Sequence, residues 1–129
     1  MSRVALVNAE DAMEYILLIY VNEAEGKRRS DAEQAQIHRE YMAFTQDLSS
    51  TGKNKGGNAL QQTAASSTVR VRNGKTTVMD GPFAETKEQL GGYYLVEAKD
   101  RDEAISIAAR IPGAKFGVIE VRPVMKIAM

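Results

Sequence analysis

A chain of 129 residues with 17 basic and 17 acidic side chains has the length of one domain. It lacks the positive excess with which proteins neutralise nucleic-acid phosphates, and its lack of cysteine excludes thiolate nucleophiles, disulfides and cysteine-bearing zinc or iron–sulfur centres. The one long apolar run, residues 15–21, falls far short of the roughly twenty residues of a membrane-spanning helix, and the first residues hold no apolar segment of secretory type. The expected compartment is therefore the cytoplasm, with neither nucleic acid nor membrane as partner.

Residues 14–21 are apolar at both alternating sets of positions, as in a central strand covered on two faces. Residues 22–29 read as a charged connection. Ser30 and Glu33 then make a capping box, and Ile37, Tyr41, Phe44 and Leu48 recur at helical spacing before Gly52, which predicts an amphipathic helix over 31–50. Lys53 to Asn58 reads as a lysine and glycine loop, and residues 59–67 as a weak strand.

Thr68-Val-Arg-Val-Arg72 and Lys75-Thr-Thr-Val-Met79 alternate on either side of Asn73-Gly74, the dipeptide that best supports a two-residue type I′ turn, so a hairpin is predicted. Residues 92–98 form the next strand. Asp100 and Glu103 make a second capping box, opening a helix whose Ala104, Ile107, Ala108 and Ile111 share a face until Pro112-Gly113. Residues 116–121 form the last strand.

This order is the ferredoxin-like split βαβ plan of the α+β class, with an extra hairpin and with both helices on one face of an antiparallel sheet. The uncovered face needs a cover, most simply a symmetric copy, which predicts a homodimer of the dimeric α+β barrel type.

Asp80 follows the hairpin directly and precedes Gly81-Pro82. It is either a turn residue whose carboxylate accepts backbone N–H groups or a general base at the rim of a cleft. Glu85, Lys87 and Glu88 either solvate a loop or supply an acid–base group and a cation for an anionic substrate. Asp80 and Glu85 are thus the candidate catalytic residues and Lys87 a candidate ligand contact, joined by Tyr93 of the aromatic pair Tyr93-Tyr94 and by Tyr41.

Gly91-Gly92 suits a bend or a close backbone approach better than a phosphate cradle, since no helix starts after it. His38, the sole histidine, flanks the helical stripe, where a partly exposed packing role outweighs general-base work. Without a second histidine or a helical Glu-x-x-His arrangement, neither metal nor cofactor is expected. Lys27-Arg28-Arg29 is too short for a nucleic-acid patch and reads as a solvated turn.

The segment Met79-Asp-Gly-Pro-Phe-Ala-Glu-Thr-Lys-Glu-Gln-Leu-Gly-Gly-Tyr-Tyr94 resembles the signature of the DGPF branch of the YCII-related proteins. The likeness runs in register from about Met13 to Val124, including Tyr15-Ile-Leu-Leu-Ile-Tyr20 and Val118-Ile-Glu-Val-Arg-Pro123. It implies a dimeric α+β domain over residues 13–126, with residues 1–12 as an extension, because family members commonly begin just ahead of the first strand.

Members of the shorter YCII branch that are linked to chemistry, ring-dehydrochlorinating enzymes among them, resemble one another in a histidine on the first helix and an aspartate before the proline after the second. The corresponding positions here are Tyr41 and Ile111, so that dyad does not carry over. The resemblance leaves a protein that binds a small polar or aromatic metabolite in a cleft near the Asp80 to Lys87 loop, with weak lyase or hydrolase-type chemistry. The alternative is a non-catalytic interaction or regulatory module, since DGPF domains resemble units found near, or fused to, extracytoplasmic-function sigma factors.

Overall fold

The computed structural model describes residues 13–127; residues 1–12, expected to form an extension, lie outside them. Strands β1 (Met13–Val21), β2 (Asn54–Ala59), β5 (Gln89–Ala98) and β6 (Val118–Pro123) build an antiparallel sheet in the order β2-β5-β1-β6. Between β2 and β5 the chain makes a separate hairpin of β3 (Ser67–Arg72) and β4 (Lys75–Asp80). A short α1 (Glu23–Lys27) precedes α2 (Asp31–Ser50), and α3 (Arg101–Arg110) links β5 to β6. The architecture is the α+β, ferredoxin-like plan expected from the order of elements, with the hairpin as an insertion.

Side-chain alternation along β1 sets the layers. Tyr15, Leu17 and Ile19 are buried with Val96 and Ala98 of β5 against Phe44 and Leu48 of α2 and Ala104, Ile107 and Ala108 of α3. The intervening Ile16, Leu18 and Tyr20 are half-buried on the opposite face, in register with Leu95 and Tyr93 on one side and with Arg122, Glu120 and Val118 on the other. Among the described residues that face carries no helix.

The helix start at Ser30 is a full capping box, Ser30 Oγ accepting from Glu33 N–H and the Glu33 carboxylate from Ser30 N–H. The hairpin turn has φ 53° at Asn73 and φ 74° at Gly74, the left-handed pair of a type I′ turn. No helix among the described residues is long and apolar enough to cross a membrane.

Four expectations are corrected. The lysine and glycine stretch is strand β2, made by pairing to β5 through a register shift between Asn54 and Gly56; Asn54 Oδ1 accepts from Gly56 N–H across the bulge. Of residues 59–67, expected as a weak strand, Ala59 ends β2 and Ser67 opens β3, with a 3₁₀ turn at Thr63–Ala65 between them. Within the charged connection, Asn22 caps α1 by accepting from Glu25 N–H at 3.0 Å. At Asp100 only half the box forms: its carboxylate accepts from Glu103 N–H, but Glu103 reaches back to Lys99 N–H instead.

Glu103 also takes the Lys53 ammonium, tying the entry of β2 to α3. These bonds, Lys53 first, hold the Glu103 carboxyl below the usual carboxylate range. A lowered native pKa contributes stability above the unfolded value of about 4.3 and loses it as pH falls through the native value. Glu103→Gln should therefore lower unfolding free energy by up to about 1 kcal/mol at neutral pH, and the gap from wild type should close in urea titrations at pH 3. A gap of the same size at both pH values would contradict the ionic account.

Candidate functional site

On β2 and β5 the sheet loses its side chains at Gly57 and Gly92, which line the cleft beneath α2. Ile19 pairs with Gly92, Gly92 with Ala59, and Gly57 with Tyr94; alternation from buried Leu17 places these positions on the helix side. The strands are also drawn close there: a Cβ on Gly57 would lie 2.6 Å from Tyr93 O, and one on Gly92 would lie 3.0 Å from Asn58 O. Gly91 marks a further irregularity, since the β1–β5 register shifts between Ile19 and Tyr20. The expectation of a bend and a close backbone approach at Gly91-Gly92 thus describes the geometry.

Above this bare floor, α2 buries only Phe44 and Leu48, both in its second half. Gln34, Ile37 and His38 of its first half, with Tyr41 and Thr45 beyond them, line the space between helix and sheet, a cleft of about 640 Å³, within the size range of small-molecule sites. Tyr94 forms a fixed wall: its ring meets Phe44 edge-on at 5.2 Å, and its hydroxyl lies 2.6 Å from Thr45 Oγ1.

Tyr41 spans from α2 to the turn after α3, where its hydroxyl oxygen accepts from Gly113 N–H at 3.1 Å. A Cβ at position 113 would stand 2.6 Å from that oxygen, so the contact requires glycine. Burial raises the Tyr41 pKa above its ordinary value. The phenol is therefore neutral at physiological pH, and its proton has no acceptor among the described residues. The Tyr41 position, matched to the histidine of the shorter branch, holds a hydroxyl anchored by a backbone amide; Ile111, matched to the aspartate, is 1% exposed in the core.

Arg29 closes one end of the cleft. Its guanidinium stacks 4.3 Å above the Phe116 ring centroid and makes no ion pair among the described residues. Among the described residues no aspartate or glutamate lines the cleft. His38 is exposed, as expected of a flank position, and belongs to the lining.

Of the residues singled out from sequence, Tyr41 and Tyr93 border this cleft and Asp80, Glu85 and Lys87 do not. Tyr93 touches it from below: its register with Leu18 and Asn58 sets its ring on the helix-free face, where Asn58 Nδ2 donates to its hydroxyl at 2.9 Å. Asp80 ends β4 and Glu85 and Lys87 lie on the β4–β5 connection, all three exposed. The turn at Gly81 is held by Gly81 N–H donating to Ser66 O and Thr68 Oγ1 donating to Gly81 O, with no bond to the Asp80 carboxylate among the described residues.

Arg29, Gln34, Thr45 and Phe116 were not singled out as candidates. The sequence signal for part of them is the polar stripe Gln34, His38, Tyr41, Thr45 beside the apolar one on α2; for Arg29 and Phe116, distant in the chain, there is none.

The chain belongs to the YCII-related family, whose domain it matches over residues 13–128. An uncharacterised protein of Rhizobium meliloti (strain 1021) is 39% identical to it over 113 residues, spanning 86% of this chain and 91% of the relative.

The raised Tyr41 pKa has a measurable sign. The native state keeps a proton that the unfolded chain releases near pH 10, so this contribution to stability is present below that pH and is lost as pH rises through the native value. In an ultraviolet titration, Tyr41→Phe should remove a component that ionises above the ordinary tyrosine value of about 10. Loss of an earlier component would place Tyr41 in water.

Proposed function

We propose that the protein binds a small metabolite in the cleft between α2 and the β2–β5 corner, and that it does so as a homodimer. The observation that carries the first part is the cleft itself: apolar walls with a few convergent polar groups, Arg29, His38 and the undonated Tyr41 proton, are the usual make-up of a small-molecule site. In this reading Tyr41 and the backbone of Tyr93 are ligand-cleft residues. His38 and Tyr41 supply the proton-transfer groups for any lyase or hydrolase-type step, because they face the cleft and Asp80 and Glu85 do not.

Filling the floor tests this. Ala59→Phe should leave the melting temperature within about 2 °C, since Ala59 is exposed at the cleft edge and such substitutions cost little. The same change should abolish small-molecule adducts seen by native mass spectrometry after incubation with a metabolite extract. Adducts retained in the variant would move the site elsewhere.

The dimer rests on the helix-free sheet face, where Ile16, Leu18 and Leu95 form an apolar centre flanked by the Arg122–Glu120 and Lys55–Glu97 ion pairs. Such a face, apolar inside and charged at the rim, fits a second copy of itself. Light scattering should return twice the 14.2 kDa chain mass, and Leu18→Asp should return the single mass. A wild-type monomer at micromolar concentration would contradict the pairing.

A second reading has its own observation. Phe83 in the signature loop is 82% exposed, and Val69, Val71 and Val78 share one exposed face of the hairpin. Exposed apolar groups grouped in this way are what an interaction or regulatory module displays, and Asp80, Glu85 and Lys87 would then frame a docking loop.

A further inference from the structure

We propose that the occupant of the cleft is a small organic monocarboxylate with a flat apolar body, an inference that rests on the cleft being a binding site. Three features select this class. The charge balance comes first: Arg29 lines the cleft, and among the described residues no lysine, no second arginine and no carboxylate joins it. A cation would find nothing to neutralise it. A dianion such as a phosphate monoester would be left with uncompensated charge in a largely apolar space.

The second feature is the state of Arg29. Its guanidinium carbon lies over the Phe116 ring, 4.3 Å from the centroid, and its N–H groups make no ion pair among the described residues. A planar fork without an ion-pair partner offers the bidentate geometry that a carboxylate matches, and the single cation of the lining selects the monoanion. Glu23, in the adjoining cleft that shares Arg29, does not compete, because its carboxylate already accepts from Thr63 N–H and Oγ1 at 2.9 Å.

The third is the shape of the remainder. Gly57 and Gly92 make the floor from peptide planes, and Tyr94 stands as a wall whose orientation Thr45 and Phe44 hold. A flat floor beside an aromatic wall favours a ring or a conjugated chain over a globular aliphatic group. The Tyr41 proton, presented by a hydroxyl that Gly113 anchors, is placed to meet a polar substituent on that body.

Fluorine NMR with three matched probes, fluorobenzoate, fluorobenzamide and fluorobenzylamine, tests the class on the intact protein. The benzoate should bind at least about tenfold more tightly than the other two, a difference of the size expected for a charge-assisted pair. Arg29→Met should erase that preference, and Arg29→Lys, which keeps charge without the fork, should retain part of it. Equal affinity for benzoate and benzamide, or a preference unchanged by Arg29→Met in a variant with native circular dichroism, would overturn the carboxylate class while the cleft stands. If no probe of any charge binds, or if binding survives Ala59→Phe, the cleft reading itself fails and this inference with it.

Discussion

The close approach of β2 to β5 at Gly57 and Gly92 decides where this molecule is solid and where it is hollow. Two strands can run this near each other only without side chains at the contact, since a Cβ on either glycine would press on a backbone oxygen of its neighbour. With β2 and β5 bare at these two positions on the helix side, no side chain from either glycine rises to meet α2. The core therefore begins only at Phe44 and Leu48, and the helix overhangs a cleft.

Such a helix needs fixing at its overhanging end, because a hollow contributes none of the burial that holds a packed helix. Three contacts supply it. The reciprocal Ser30 and Glu33 bonds close the N-terminal turn. Tyr41 reaches across to the Gly113 amide, and Lys115 meets Glu40 one position away at 3.1 Å. The turn after α3 thus clamps the middle of α2, and it places a neutral phenol in the cleft wall. Fold and site share this clamp.

What could be read from the chain was what is encoded locally. Ser30 and Glu33 define the start of α2 within three residues of each other, and Asn73-Gly74 carries the hairpin turn in its own backbone preferences. Strand β2 was opaque because Asn-Lys-Gly-Gly-Asn-Ala has no β-branched or aromatic residue; it is a strand by virtue of β5, and its glycines serve the cleft rather than the sheet. The cleft was hidden for a related reason, since its floor is defined by absent side chains on two strands far apart in sequence. Arg29 looked like one member of a charged turn until Phe116, from the other end of the chain, gave it a surface to lie on. Tyr41 was singled out through its family-matched position, which the clamp to Gly113 now gives a physical content.

The central claim is that small molecules enter between α2 and the glycine floor, and backbone amide shifts in a fluorobenzoate titration test it most directly. On this account the perturbed amides cluster at Gly57, Asn58, Gly91, Gly92 and Gly113, the peptide groups that floor and clamp the cleft. Shifts confined to residues 81–88, with the glycine amides unmoved, would contradict it and place recognition in the exposed loop.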